Sequence, residues 1–160
     1  MEVATVKGIN SFGKEERLRH KSLVDGLYRH GKTIYEFPLR ATWRSLSREE
    51  LTANFRDHVP DGIGHLQMMV TVPKKKRKKA VDRVLMRRRI REAYRLHRHE
   101  LKQLLLNEED LGTLSLAFVY IHNENLPYSA VAAKMKKLLR RVGEKRPKTP
   151  QTHIKAQIED

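Results

Sequence analysis

Arginine stands at positions 83, 87, 91 and 95, a spacing of four, and again at 98. On a helix turning 100° per residue these five side chains fall within about a 120° sector, with Arg88 at its edge and Arg89 pointing elsewhere. A guanidinium fork binds phosphate bidentately, and a row that rises about 6 Å every four residues can follow a polyphosphate backbone. The residues immediately before this row are Lys74, Lys75, Lys76, Arg77, Lys78 and Lys79. A run so uniformly charged cannot pack, so it reads as an exposed loop feeding a basic helix. A solvated helix face normally mixes Glu with Lys at i,i+4. From Pro73 to Lys102, however, 14 basic residues face only Asp82, Glu92 and Glu100, a net charge of +11 out of the chain's +15. Charge concentrated in this way projects a local field able to displace counterions from nucleic acid.

Other chemistry is scarce. Cysteine is absent, which removes disulfides, thiolate zinc sites and a Cys nucleophile. His97 and His99 fall on different faces of a helix, the other histidines are scattered, and no carboxylate pair has ligand spacing. There is no glycine-rich phosphate loop, nucleophile elbow or HExxH. No catalytic residue and no metal site is therefore predicted in the polypeptide. The string Pro73 to Lys79 also has the look of a nuclear-import signal, but it joins a strand to a helix instead of lying in an unstructured segment.

The elements that must position the basic surface follow from periodicity. Residues 1–21 carry little periodicity, and 1–11 are expected to be a flexible arm. Ser22 reads as an N-cap with Asp25 in a capping-box position, opening a short helix that carries Leu23, Val24, Leu27 and Tyr28 and stops at Gly31. Tyr35, Phe37, Leu39, Ala41 and Trp43 then alternate with polar residues, predicting one half-buried strand interrupted at Pro38. Residues 47–64 are polar and contain a Pro60-Asp61-Gly62 turn. Leu66, Met68, Val70 and Val72 form a second strand. One long helix is expected from Ala80 to about Asn107, because Met86, Ile90, Ala93, His97, Leu101 and Leu104 make a single apolar seam. Leu114 to Ile121 is apolar on both parities, as a central strand buried on two faces would be. A last helix runs from about Ser129 to Val142 and ends at Gly143, leaving 144–160 as a disordered tail. The fold class is α+β, a small mixed sheet packed by helices in the order α-β-(β)-β-α-β-α, with one domain over 12–143.

The unit from Met68 to Leu96 resembles the protein subunit of bacterial ribonuclease P. That family's pattern is a strand ending in Val-x-Lys-Lys, a short loop, then Ala-Val-x-Arg-Asn-x-x-Lys-Arg-x-x-Arg-Glu. Here it reads Val72, Lys74-Lys75 or, with a loop one residue longer, Lys75-Lys76, then Ala80-Val81, Arg83, Arg87-Arg88 and Arg91-Glu92. Arg17-Leu18, a short helix and His30-Gly31 resemble the family's opening, and the likeness spans about residues 12–142. The family's Asn is Val84 here and its Lys is Arg87. Of two aromatic positions on the first helix, one is Val24 and the other Tyr28.

The resemblance implies a left-handed βαβ crossover and a one-to-one complex with a catalytic RNA. That RNA, with Mg²⁺, removes the 5′ leader of precursor tRNA. It assigns RNA contact to the loop and the arginine helix, namely Lys74 to Lys79, Arg83, Arg87, Arg88, Arg91 and Arg95. It also implies a cleft between the first helix and the sheet that holds the single-stranded leader. Val24, Tyr28, Tyr35, Phe37 and Arg40 are the candidates there, since such a site needs ring faces and positive charge. For Tyr35 and Phe37 the alternative is plain core packing.

Two rivals remain, an architectural or ribosome-associated RNA-binding protein without an enzymatic role and a basic helix on a membrane surface. The second conflicts with the seam being needed to cover the sheet. Apolar runs are far shorter than the roughly 20 residues a bilayer span needs. Residues Met1 to Lys7 lack the basic-then-apolar order of a secretion signal, so the cytoplasm is the expected location.

Overall fold

The computed structural model describes residues 12–56 and 58–146; the arm over 1–11 and the tail from 147 onward lie outside them. A 3₁₀ turn, Lys14–Glu16, precedes α1 (Lys21–His30), β1 (Lys32–Glu36), β2 (Leu39–Ser47), α2 (Arg48–Asn54), β3 (Leu66–Thr71), α3 (Ala80–His97), α4 (His99–Leu106), β4 (Leu111–Tyr120) and α5 (Tyr128–Lys145). The sheet runs β1-β2-β4-β3, antiparallel across the first two pairs and parallel between β3 and β4. The β3–α3–α4–β4 connection is thus a crossover between adjacent parallel strands. The mixed α+β class read from the sequence is the observed one.

All ten residues of β4 are buried, as its double parity predicts. On one face Leu39, Ala41, Trp43, Leu114, Leu116, Phe118 and Tyr120 meet Met86, Ile90 and Tyr94 of α3 and Val131, Met135, Leu138 and Val142 of α5. On the other, a smaller cluster gathers Leu18, Leu23, Leu27, Leu46, Leu51 and Ala117 beneath α1 and α2. Fully burying an aliphatic side chain contributes roughly 1.5–3 kcal/mol, so the larger cluster carries most of the stability.

Five local expectations are corrected. The single strand through Phe37 is a hairpin: the chain reverses at Phe37–Pro38, whose peptide bond is cis, and Tyr35 pairs with Arg40. The turn inverts parity: Ile34, paired with Ala41, is buried, while Tyr35, paired with Arg40, is exposed, so carrying the odd-numbered apolar alternation of β2 back to Tyr35 places that ring on the wrong face.

The polar 47–64 segment begins with a helix. Ser47 accepts from Glu50 N–H (3.1 Å) while the Glu50 carboxylate accepts from Ser47 N–H (2.9 Å), a complete capping box. Ser22 does not cap α1; the N-cap is His20, and the Ser22 hydroxyl accepts from Asn54 Nδ2 (3.0 Å).

The long helix is interrupted at Arg98, which is fully buried. Finally, Gly143 lies inside α5, which continues to Lys145. A Cβ there would come within 3.3 Å of Leu104 Cδ1, so glycine permits the close crossing of α4 and α5. Arg146 is then buried on Glu108 at 2.6 Å, so the tail expected from residue 144 does not begin there.

Candidate nucleic-acid interface

The basic surface is built on the crossover. Asp82 and Arg83 anchor the start of α3 to the preceding loop. Arg77 pairs with Asp82 (3.0 Å), donates to Asn125 Oδ1 (2.8 Å) and also donates to the Asn123 carbonyl. Arg83 donates to the carbonyls of Arg77 (2.9 Å) and Lys78 (2.7 Å). These two arginines therefore shape the loop, while Lys74, Lys75, Lys78 and Lys79 are exposed and Lys76 is half-buried.

Further along the row, Arg87 is half-buried and Arg88 and Arg91 are exposed. None of these three forms an ion pair among the described residues. Arg95 is engaged by Glu92, its Nε 3.1 Å from Oε2. Arg89 turns away, as its angle predicts, and donates to the Leu126 carbonyl (2.5 Å). Burial lowers the Arg91 pKa, and the like charges of Arg87 and Arg17 lower it further. Three guanidinium groups are thus gathered where only an anion would relieve their repulsion.

Arg98, which the spacing puts on the same row, is not part of the surface. It lies inside, donating to both Glu16 oxygens (2.6 and 3.0 Å) and to the Arg95 carbonyl (2.6 Å). Exposed Val81, Val84 and Leu85 interleave the arginines, so the position of the family's Asn presents an apolar side chain to solvent.

The second candidate group sits on the sheet face that α1 covers. Strand register aligns Tyr35 with Arg40, Arg40 with Val119 and Val119 with Thr71, a row crossing all four strands. Ala117, two residues before Val119, belongs to the cluster beneath α1, and residues two apart share a face. Tyr35 and Phe37 are 59% and 54% exposed, which excludes core packing for both. Phe37, at the hairpin tip, makes an edge contact with His122 at 5.0 Å. Tyr28 is 51% exposed, whereas Val24 packs into the cluster. Gly31 allows the turn from α1 to β1: its N–H donates to the Leu27 carbonyl (2.7 Å), against which a Cβ would collide.

Periodicity alone leaves three contributors unseen. Arg141 on α5 clamps the hairpin, donating to Glu36 (2.7 Å) and to the Tyr35 carbonyl (2.9 Å). Phe12 and Arg17 come from the segment without periodicity and are brought to Arg91 only by folding: the residue-17 backbone bridges to Met68, and Leu18 N–H donates to the Met68 carbonyl (2.9 Å).

Residues 12–143 match the family model described as Ribonuclease P. The chain is 30% identical over 129 residues to the ribonuclease P protein component of Porphyromonas gingivalis, covering 81% of this chain and 84% of that one. Among solved structures, the Staphylococcus aureus RNase P protein aligns with a TM-score of 0.54 at 13% identity, over 79% of this chain and 94% of that one. The Thermotoga maritima RNase P protein aligns at 0.51 and 19% identity, over 79% and 96%. These two structures speak to the fold, and the family match and the curated relative speak to kinship. Together with a basic crossover helix and a sheet face lined by exposed rings, they establish that the chain belongs to the ribonuclease P protein family.

Proposed function

We propose that this chain is the protein component of a ribonuclease P holoenzyme. It binds a catalytic RNA subunit one to one and promotes endonucleolytic removal of the 5′ leader from precursor tRNA, in the cytoplasm. The observation that carries the reading is the state of the acids near the basic helix. Asp82 is held by Arg77 and Glu92 by Arg95, while Arg87, Arg88 and Arg91 have no ion pair among the described residues. With the exposed lysines of the loop, they offer a cationic surface that the described residues leave without counter-charge, as a polyphosphate partner requires.

In this reading Lys74 to Lys79, Arg83, Arg87, Arg88, Arg91 and Arg95 serve the RNA interface, Arg77 and Arg83 chiefly by fixing the loop. Tyr28, Tyr35 and Phe37 offer ring faces to the unpaired leader and Arg40 supplies charge beside Tyr35, while Val24 supports the cleft from below. Hydrolysis belongs to the RNA with Mg²⁺. Among the described residues no group of three or more His, Cys, Asp or Glu could hold a metal ion, so these side chains do not fit a resident Mg²⁺. Among them, too, no helix is long and apolar enough to cross a membrane.

The deciding experiment reconstitutes the full chain with the ribonuclease P RNA of the same organism and follows 5′-leader cleavage at low Mg²⁺. Stimulation is expected. RNA binding without stimulation would overturn the reading in favour of an architectural role. Within the active complex, Tyr28→Ala should weaken leader-bearing tRNA roughly tenfold more than mature tRNA, from a stacking contribution of about 1–3 kcal/mol per base. Equal weakening of both would remove Tyr28 from the leader cleft.

A further inference from the structure

Two concavities meet at Phe12 and Arg91, at the β3 edge of the sheet. The first is a notch of about 260 Å³, in which Phe12, Arg17 and Arg91 stand over a floor that includes Leu18, Met68 and Val70. The second is an open groove of about 490 Å³ lined by Phe12, Arg88, Arg91, Glu92, Arg95 and Tyr128, among other residues. Two guanidinium groups thus face the notch and, among the described residues, no carboxylate lines it. The carboxylate in the groove, Glu92, is occupied by Arg95.

The walls are held in place before any ligand arrives. Phe12 packs edge-on against Tyr94 (6.0 Å, 85°), and the Arg17 guanidinium carbon lies 5.6 Å from the Phe12 ring centroid. The segment that carries them is fixed by the buried Glu16–Arg98 pair. Across the groove, the Tyr128 hydroxyl is buried and makes no hydrogen bond among the described residues. Converging cations without a counter-charge, an aromatic wall and an unused hydroxyl together match a nucleotide better than a bare anion, which needs no ring, or an apolar ligand, which needs no arginine.

We infer that Phe12, Arg17, Arg91 and Tyr128 form a subsite for one unpaired nucleotide of RNA, its phosphodiester in the Arg17–Arg91 notch and its base against Phe12 on the Tyr128 side. The base must be unpaired, because inside a helix its face is stacked and unavailable to a side chain. This subsite rests on the proposed ribonuclease P role and extends it, adding a contact from the N-terminal segment to those of the arginine helix. The nucleotide comes either from the RNA subunit or from the precursor tRNA.

The test uses full-length Arg17→Gln and Phe12→Leu, each checked for wild-type thermal unfolding, with Arg17→Lys as a second variant that keeps charge but loses the fork. Affinity is measured across salt for the RNA subunit alone, then for precursor tRNA on the assembled complex. Arg17→Gln should weaken binding about tenfold and reduce the slope of log affinity against log salt by roughly one. Phe12→Leu should weaken it roughly five- to a hundredfold with the slope unchanged. Arg17→Lys should keep the slope and lose part of the affinity. Weaker binding in the first arm assigns the nucleotide to the RNA subunit, and weaker binding in the second alone assigns it to the precursor. Wild-type affinity and slope for both principal variants in both arms would overturn the subsite. Should Arg87→Gln still weaken assembly in that case, the broader reading stands; should the wild-type chain not bind the RNA subunit at all, that reading fails and the subsite with it.

Discussion

Glu16 and Arg98 lie 82 positions apart and meet in the interior as the most deeply buried ion pair of the described residues, with side chains 6% and 0% exposed. Burial pushes the Glu16 carboxyl up. The Arg98 hydrogen bond and the charges of Arg98 and Lys102 outweigh it, and the net shift is below the ordinary 4.5. Removing one partner strands the other charge in a poor solvent, so Glu16→Gln should destabilise the fold by about 3–5 kcal/mol at neutral pH, measured by denaturant unfolding. The sign with pH follows from linkage. A carboxyl lowered in the folded state contributes fully above its unfolded value and loses that contribution as pH falls through the folded one. The gap between wild type and Glu16→Gln should therefore be constant near neutrality and close below about pH 4.5. A gap that persisted into acid would show that packing, not charge, accounts for it.

At the scale of elements, the hairpin β1–β2 is presented by a helix that arrives about a hundred residues later. Arg141 of α5 holds both the Glu36 carboxylate and the Tyr35 carbonyl, and Lys137 adds a longer contact to Glu36 at 3.5 Å. The end of β1 that carries Tyr35 and leads to Phe37 is thus tied to α5. Arg141→Ala should leave affinity for the RNA subunit unchanged while reducing affinity for leader-bearing tRNA several-fold relative to mature tRNA. A matching fall for both tRNAs would mean that Arg141 serves stability alone. The α2 cap is a separate element-level case: Ser47→Ala removes the hydroxyl from the capping box and should cost about 0.5–2 kcal/mol of stability. RNA affinity should not move, since α2 packs on the far side of the sheet from α3.

For the whole molecule, the distribution of charge decides more than its total. Eleven of the fifteen excess positive charges lie in thirty consecutive residues, and folding divides them between two tasks. Arg77, Arg89 and Arg98 are committed internally to Asp82, the Leu126 carbonyl and Glu16. Arg87, Arg88, Arg91 and the exposed lysines are left on the surface. Binding to the RNA subunit should accordingly fall steeply with salt. A triple change of Arg87, Arg88 and Arg91 to Gln should lower the log–log slope by roughly 0.7–0.9 for each phosphate no longer neutralised, about two to three in all. An unchanged slope would place the RNA elsewhere on the protein.

What could be read along the chain is what depends on near neighbours. The arginine row of α3, the double-sided apolar pattern of β4 and the basic loop follow from spacing, because helix and strand periods are properties of the local backbone. Together with the motif order, they sufficed to name the family. The sequence was silent wherever residues meet by folding. A two-residue hairpin turn inverts the parity that a continuous strand would keep, so Tyr35, in step with Leu39 and Ala41 along the chain, lies on the opposite face of the sheet once the chain reverses at Pro38. Arg98 continued the row perfectly in angle, yet Glu16 withdraws it into the interior, an energetic choice no period encodes. Phe12 and Arg17 belonged to a stretch without periodicity, where Arg17 counted only as part of the opening motif, and they acquire a place in a site only where the sheet edge carries them to Arg91. Local periodicity determined which faces are basic or apolar; long-range pairing alone decided which of those charges reach solvent.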